Sequence, residues 1–304
     1  MLNIRHIAPA GLATFKQRFE DAYYRDELID RVYHHQLRYF GIYQMTELIG
    51  GFVLYEGGRG PLKTLITPPF HPHIGLFVTK PYISHSEIIE ALQRFVREPY
   101  VCYVKLDLPL AFHQKDLPAP WRERWTYRLN LQQSQASLLA GVYATIKSSY
   151  QKSVREGCVF QEATDKDQVI GLIHSNLNIK NIKYKSQVLD HIHQYFCNHP
   201  YAKYFGTYKD DQLVAANIVY VDRGVAYHLF SAFDRSLALN YANAAHLLAT
   251  LIHLQTHSPE IHTFDFEGST VPSIDFYFKR FGGIQCVYPS IYYSRLPFIF
   301  KQPV

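Results

Sequence analysis

Two acidic side chains, a turn of small residues and a basic pair fall within twenty residues near the end of the chain. Asp265 and Glu267 alternate with phenylalanines, which predicts a strand with both carboxylates on one face. The strand breaks at Gly268-Ser269, where small side chains let backbone N–H groups face a ligand. Lys279-Arg280 ends a short aromatic helix, where cations suit the helix dipole. Together these groups could form a site for an anionic donor and a nucleophilic amine. The alternative is a buried aromatic helix with a C-terminal cap and solvated charges.

The same stretch resembles a known family. Asp265-Phe-Glu-Gly-Ser269, followed by Phe278-Lys-Arg-Phe-Gly-Gly283, is similar to the closing signature of the Fem-type branch of the GNAT acyltransferase superfamily. The resemblance implies that Lys279, at the Phe-Lys position, stabilises negative charge at an acyl carbonyl. Glu267 or Asp265 would accept the amine proton. Each has a structural alternative, as a partner of the helix C-terminus for Lys279 and as a strand-end carboxylate for the acids.

The composition limits the number of domains and the class of protein. The 304 residues predict two domains or one large domain, and 47% hydrophobic residues provide ample core. No apolar run is long enough to span a membrane, and the first residues lack a signal-peptide pattern. The four cysteines are scattered and are interpreted as buried, reduced thiols of a cytoplasmic protein.

The charges and histidines indicate which kinds of ligand the protein could bind. A net charge of +5 suits an anionic substrate such as a CoA, a nucleotide-linked sugar or tRNA. The basic stretches are too short and mixed to predict DNA binding. His191-x-His193 and His34-His35 have no third ligand nearby in the sequence, so no metal site is predicted. Triad, Walker, Rossmann and zinc patterns are also lacking.

An internal repeat predicts two similar domains. Residues 40–55 align with residues 205–220 at a constant offset of 165, with five identical positions. In both copies the period predicts helices, a hairpin, a strand, a capped helix and another strand. This is the order expected of a GNAT domain. The predicted fold is therefore α/β (α+β), with two tandem GNAT-like domains at 1–132 and 137–304, each a mixed, mostly antiparallel sheet flanked by helices. The active-site cleft is expected in the second domain.

The resemblance also points to residues that would hold the donor. GNAT enzymes bind CoA pyrophosphate on a glycine-rich loop before a helix, and the matching segment here is 234–245, which has no glycine. Asn240 is predicted to cap that helix, and Tyr241, Asn243 and Ser269 are further candidates for contact with the donor. Without glycine, close approach of the donor to the backbone is harder.

A basic helix over 137–156 offers contacts to phosphate. Lys147, Lys152 and Arg155 lie on its predicted outer face and resemble the basic helix of the Fem-type family; a solvated helix face is the alternative. Tyr208 and Tyr227 could line a substrate cleft, or could be core. The proline-dense segment 67–75 is a candidate substrate wall or a plain crossover.

These observations predict an N-acyltransferase of Fem or GNAT type that transfers an acyl or aminoacyl group to an amine. The resemblance implies acyl-CoA or aminoacyl-tRNA as donor substrate, with no tightly bound cofactor. The acceptor would be a small-molecule or peptidoglycan-precursor-like amine, and tRNA would be a further partner. The alternatives are a CoA-dependent N-acetyltransferase and a non-catalytic ligand-binding protein with the same fold.

Overall fold

The computed structural model describes most of the chain in ten ranges: 1–18, 35–59, 62–68, 73–98, 102–112, 121–179, 193–194, 196–197, 199–267 and 272–295. Several predicted features lie outside these ranges. They are the turn with Ser269, the residues His34 and His191, and part of the segment 67–75. No helix within the described ranges is long and apolar enough to cross a membrane.

Packing divides the chain into two units. Unit 1 comprises Met1–Trp125 with Val287–Val304, and unit 2 comprises Thr126–Cys286. This division groups the end of the chain with the first unit, whereas the predicted bounds 1–132 and 137–304 remain a prediction about domains. Each unit is a mixed, mostly antiparallel sheet with helices, which confirms the predicted fold class.

Both halves contain a strand, a helix, a run of strands, a helix and a further strand in that order, and the second half adds elements before and after this run. The first half contains β1 (Leu2–His6), α1 (Pro9–Arg18), β2 (Leu37–Gln44), β3 (Glu47–Arg59), β4 (Leu62–Ile66), β5 (Phe77–Val78), α2 (His85–Val96) and β6 (Tyr103–Asp107). The second half contains β7 (Trp121–Asn130), α3 (Gln135–Gly141), α4 (Ala144–Arg155), β8 (Val159–Glu162), α5 (Lys166–Ile179), β9 (Ala202–Lys209), β10 (Gln212–Asp222), β11 (Val225–Phe233), α6 (Ala242–His257), β12 (Thr263–Asp265), α7 (Pro272–Lys279) and β13 (Ile284–Ser294).

The sheets share a topology. The strand order is β1-β2-β3-β4-β6-β13 in unit 1 and β7-β12-β11-β10-β9-β8 in unit 2. The hairpins β2–β3 and β9–β10 are antiparallel, and each unit contains a parallel pair, β4–β6 or β11–β12. A helix, α2 or α6, connects the strands of each parallel pair, as a parallel crossover requires.

The internal repeat is confirmed at the level of single contacts. β2 and β9 match at an offset of 165 residues and have the same burial pattern. A Cβ at Gly41 would lie 2.6 Å from Leu48 Cδ1 and 2.8 Å from the Tyr43 ring. A Cβ at Gly206 would lie 2.9 Å from Leu213 Cδ1 and 2.7 Å from the Tyr208 ring. The repeated glycine therefore leaves room for the same tyrosine and leucine in both hairpins.

One predicted helix is two helices. The apolar spacing predicts a continuous helix over 137–156, but α3 ends at Gly141 and α4 begins at Ala144. Val142 and Tyr143 have extended backbones, and the Tyr143 N–H group donates to the Arg280 carbonyl at 2.9 Å. Leu138, Val142 and Ile146 are buried on both sides of this break and within it.

Unit 1 differs from unit 2 in the strand before the crossover helix. In unit 2 this strand is the continuous β11, whereas in unit 1 it is divided into β4 and β5. Ile74, between them, is fully buried and donates its N–H group to Asp107 O at 2.9 Å. Its carbonyl accepts from Val53 N at 3.2 Å, so Ile74 bridges β3 and β6. The described part of segment 67–75 therefore closes the sheet of unit 1, which supports the crossover interpretation over the substrate wall.

Gly50 makes that closure possible, and this predicts a large effect of a single methyl group. A Cβ at Gly50 would lie 2.3 Å from the Phe77 carbonyl oxygen of β5, a backbone atom that cannot rotate away. We expect Gly50→Ala to lower the free energy of unfolding by about 1–3 kcal/mol or more. Gly171→Ala in α5 is the matched control, since no neighbouring atom lies within 4 Å of its added Cβ. Urea denaturation of both variants measures the effect, and equal midpoints would contradict the close packing of β5 on β3.

Candidate functional site

The parallel strands β11 and β12 separate after three residue pairs. Val225, Ala226 and Tyr227 pair with Thr263, Phe264 and Asp265. β12 then ends, whereas β11 continues along β10 to Phe233. Among the described residues, no strand pairs with 228–233 on the side that β12 has left. Such a strand edge presents backbone N–H and C=O groups to an extended ligand, at a position where open α/β sheets bind ligands.

The first turn of α6 lies beyond β11 in the chain and has no side-chain cap. The helix begins at Ala242, and Tyr241 at the N-cap position makes no capping hydrogen bond. The prediction that Asn240 caps the helix is wrong, because this exposed residue precedes the N-cap and its N–H group donates to the Ala238 carbonyl at 3.0 Å. The first turn also has no acidic residue. An anion can therefore meet helix N–H groups and the positive end of the dipole there.

The Tyr241 side chain belongs to a charged cluster with Glu156, Lys209 and Lys152. The Tyr241 hydroxyl donates to Glu156 Oε2 at 2.6 Å, and Lys209 Nζ donates to the same oxygen at 3.0 Å. Hydrogen bonds from Tyr241 and then from Lys209 hold the pKa of Glu156 below its usual range. Lys152 Nζ lies 5.0 Å from the centre of the Tyr241 ring. The structure thus brings together Lys152 and Tyr241, two residues that the sequence predicts to contact substrate or donor.

The N-terminus of the equivalent helix in unit 1, α2, is capped by side chains. Ser84 caps α2 through a full capping box, in which its side chain accepts from Glu87 N and Glu87 Oε2 accepts from Ser84 N at 3.0 Å. These hydrogen bonds, that from the Ser84 backbone first, lower the pKa of Glu87. A carboxylate in the first turn repels an anion and occupies the N–H groups that the anion would need. Of the two crossover helices, α6 is the one suited to an anionic ligand.

Asp265 is buried and fully engaged. It accepts from Thr126 Oγ1 at 2.5 Å, from Arg128 Nε at 2.7 Å and from the Glu267 N–H group at 2.9 Å. The Asp265 side chain is 1% exposed, whereas Arg128 retains 30% exposure. Both carboxylate oxygens therefore serve to hold β12 on β7 and to turn the chain at Glu267, whose φ of 56° is left-handed.

The two predicted acids do not share one face of a strand. β12 ends at Asp265, so the alternation predicted from the sequence stops before Glu267, which is half-buried in the turn. Phe264 and Phe266 are both buried, and their ring centres are 4.9 Å apart. Because β12 ends at Asp265 and the backbone at Glu267 is left-handed, the two carboxylates do not follow the alternation of a strand.

The basic pair lies on the helix that covers the phenylalanine face. α7 packs there through Phe278, whose ring is 5.1 Å from that of Phe266. Lys279 is exposed in its last turn, and the Arg280 guanidinium lies 5.7 Å from the Phe276 ring. The Asp265 carboxylate contacts Arg128 of β7 instead, so the structure does not bring it to Lys279.

The remaining predicted residues fall in different places. Asn243 Nδ2 donates to the Tyr277 hydroxyl at 3.1 Å, which connects α6 with α7. Tyr227 is buried opposite Asp265 in the β11–β12 pair. Tyr208 is half-buried and lies near Asp165 on the α5 side of β9, away from Tyr241. Lys147 Nζ donates to the Leu139 carbonyl at 3.2 Å, and Arg155 is exposed on α4.

Two buried histidines, His228 of β11 and His246 of α6, were not predicted from the sequence. His228 follows the last β11–β12 pair, and its ring packs 5.9 Å from those of Phe264 and Phe278. Burial lowers its pKa to about 4. His246 shares a 2.8 Å hydrogen bond with Thr207, and burial, then His228, lowers its pKa to about 3. His228 stands inside an apolar run, where periodicity cannot separate a ligand-facing side chain from a core one.

A cavity of about 290 Å³ lies between α4, β8 and α6. Cys158 and Thr207 line its polar part, and Phe160 and Ile252 its apolar part. Cys158 Sγ lies 3.9 Å from the Tyr241 hydroxyl, so the cavity borders the charged cluster around Glu156.

Solved structures share this fold at low identity. FemX superposes with a TM-score of 0.61 at 10% identity, over 94% of this chain and 96% of its own. The C-terminal domain of a predicted lysylphosphatidylglycerol synthetase from Agrobacterium fabrum gives a TM-score of 0.56 at 14% identity, over 92% and 91%. A GNAT-family acetyltransferase from Colwellia psychrerythraea gives 0.55 at 12% identity, over 96% and 100%. No protein-family model and no curated protein sequence matches the chain. These likenesses show a GNAT-type fold.

The Asp265 interactions predict a marked loss of stability without Arg128. Arg128→Ala leaves a buried carboxylate without its ion-pair partner, and we expect it to lower the free energy of unfolding by about 2–3 kcal/mol, since Arg128 is partly exposed. Arg155→Ala on the exposed side of α4 is the control, with an expected change below about 0.5 kcal/mol. Equal urea midpoints for the two variants would contradict this role of Asp265.

The charged cluster predicts a pH-dependent contribution of Glu156 to stability. Its folded pKa lies below the ordinary 4.5, so this contribution is present above that value and is lost as pH falls through the folded pKa. We expect Glu156→Gln to lower the melting temperature at pH 7, and the difference from the unaltered protein to shrink as pH falls from 5 toward 3. Thermal melts across that range measure it. A difference that stays constant would contradict the assigned contacts.

Proposed function

We propose that the protein is an N-acyltransferase of the Fem-type branch, which transfers an acyl or aminoacyl group to an amine. The observation that carries the proposal is the combination of the separated β11 and β12 with the uncapped start of α6 in the same unit. The separated strands offer a place for an extended acyl arm, and the helix end offers a place for the anionic part of a donor.

The comparison between the units supports unit 2 as the donor site. In unit 1, Ile74 bridges β3 and β6, and Glu87 occupies the start of α2. In unit 2, β11 runs on past β12, and Ser231 is exposed between the buried Phe230 and Ala232. An exposed polar residue within a central strand is expected where that strand borders a binding site.

Basic residues near the start of α6 suit a phosphate-bearing donor. Lys152 and Arg155 are exposed on α4, and Lys152 lies against the Tyr241 ring. Acyl-CoA and aminoacyl-tRNA are both donors of this kind, and neither needs a tightly bound cofactor. We place Asn243 and Tyr241 near the donor. Lys147 has a structural role, because its contact with Leu139 holds α4 against α3.

The proposed chemistry assigns distinct roles to the residues around α7. Glu267, which lies in the turn that follows β12, accepts the amine proton directly or through water. Lys279 stabilises the oxyanion, and Arg280 contacts the anionic acceptor. We propose a positioning role for Asp265, because its carboxylate holds the Glu267 N–H group and Arg128.

We propose an acceptor of the Fem type, which the likeness of the fold to FemX supports. It is a small-molecule or peptidoglycan-precursor-like amine, and the reaction takes place in the cytoplasm. A CoA-dependent N-acetyltransferase is the second candidate. The uncapped helix favours it, since CoA pyrophosphate could bind there, whereas the lack of glycine in 234–245 disfavours it.

Mass-spectrometric detection of amide products tests the proposal. The purified protein is incubated with acetyl-CoA, with longer acyl-CoAs or with aminoacyl-tRNA, each with a panel of amines that includes a peptidoglycan precursor. We expect one donor class to raise the melting temperature, because a ligand of the native state stabilises it, and to yield a donor-dependent amide. Donor binding without any product would favour the non-catalytic alternative, and no donor binding at all would contradict the proposal.

With a productive pair in hand, Lys279→Ala tests the oxyanion role. We expect turnover to fall about 100-fold with little change in donor affinity, since the lysine acts on developing charge. Lys63→Ala, at an exposed lysine of unit 1, is the matched control and should leave turnover unchanged. Unchanged turnover of Lys279→Ala would remove Lys279 from the mechanism.

A further inference from the structure

Three metal-ligating side chains meet on the side of unit 2 that carries α5. They are Asp167 in the first turn of α5 and His193 and Cys197 of a later segment. Their ligand atoms all lie within 4.8 Å of one another. His193 Nε2 is 2.6 Å from Asp167 Oδ1, and Cys197 Sγ is 3.2 Å from the same nitrogen. Three ligand types thus converge on one point from two segments of the chain.

The spacing fits one ion. His193 and Cys197 are four residues apart, and the described residues of this segment are helical, so both side chains lie on one face. Zinc binds imidazole nitrogen and carboxylate oxygen at about 2.0–2.2 Å and thiolate sulfur at about 2.3 Å. Tetrahedral ligands are then roughly 3.5 Å apart, which the present separations reach with small rotations of the side chains.

The surroundings support such a site. Cys197 and His193 are half-buried, whereas Asp167 is 90% exposed, so an ion can enter from solvent. Lys166 Nζ donates to the Cys197 carbonyl and lies 5.3 Å from the Tyr204 ring, which fixes the segment against α5. A divalent ion neutralises Asp167 and the thiolate, and leaves Lys166 as the neighbouring positive charge.

We propose that Asp167, His193 and Cys197 form a binding site for a divalent transition metal such as zinc, with a fourth position open to water. Binding forms a metal–sulfur bond and releases the thiol proton to solvent, while the carboxylate is already ionised and imidazole contributes a nitrogen lone pair. The ion connects the segment of His193 to the start of α5. The spacing His193-x-x-x-Cys197 is the sequence signal for this metal site. The other spacing, His191-x-His193, pairs His193 with a residue outside the described ranges.

The site is separate from the proposed acyl-transfer site. Tyr204 contacts Lys166 on the α5 side of β9, whereas Phe205 and Thr207 contact residues of α6. Consecutive strand residues point to opposite faces of the sheet. Loss of the metal should therefore lower stability and leave donor binding intact, so that the two proposals can fail independently.

Zinc titration of the chelator-treated full chain tests the proposal. We expect about one zinc per chain after gel filtration, a raised melting temperature and the release of about one proton per zinc. Cobalt substitution should produce a thiolate-to-metal charge-transfer band. Cys197→Ser should remove that band and weaken zinc binding at least about tenfold, and Asp167→Asn should weaken it while preserving the hydrogen bond to His193.

Two matched variants distinguish this site from others. Asp165→Asn alters a carboxylate two residues away that caps α5 through Gln168 N, and Cys158→Ser alters a thiol outside the trio; both should bind zinc like the unaltered protein. Equal zinc binding by Cys197→Ser and the unaltered chain would overturn the proposal, because the metal would then lie on other histidines. Failure of the unaltered chain to bind zinc or cobalt would overturn it as well.

Discussion

The buried carboxylate of Asp265 determines where β12 ends, and the architecture of unit 2 depends on that point. Thr126 and Arg128 hold the carboxylate from β7, and the Glu267 N–H group binds it from the following turn. A strand that turns immediately after its last pair cannot follow its neighbour. β11 therefore continues past β12, and the edge that it leaves open leads in sequence to the start of α6. One ion pair thus connects a structural requirement with a candidate binding edge.

The two units show how one topology can be open or closed. Both have a hairpin with the same glycine, tyrosine and leucine contacts, followed by a parallel pair joined through a helix. In unit 1 the third strand is divided, Ile74 bridges the gap, and a capping box closes α2. In unit 2 the strand is continuous, and the helix is uncapped because tyrosine, at the N-cap position, is not a capping residue; the Tyr241 hydroxyl binds Glu156. The difference between the units lies in backbone bridges and helix caps.

Much of this fold could be predicted from the sequence, because hydrophobic period and a repeat at constant offset are local signals. The hairpins, the capped helix α2 and the strands β9 to β11 follow from them. The break before α4 could not be predicted, since it depends on a hydrogen bond from Tyr143 to the distant Arg280. The contacts of two predicted site residues could not be predicted either. Asp265 binds Arg128 and Tyr241 binds Glu156, and only the fold brings these partners close. Long-range pairing of polar groups is what periodicity does not encode.

Amide hydrogen exchange of the full chain, with and without CoA or aminoacyl-tRNA, is the most direct test of the donor site. With the anionic part of the donor at the start of α6, the donor should slow exchange at residues 242–246 and leave exchange at the start of α2, residues 85–89, unchanged. Protection at α2, or donor binding without protection at α6, would contradict the claim that unit 2 holds the donor site.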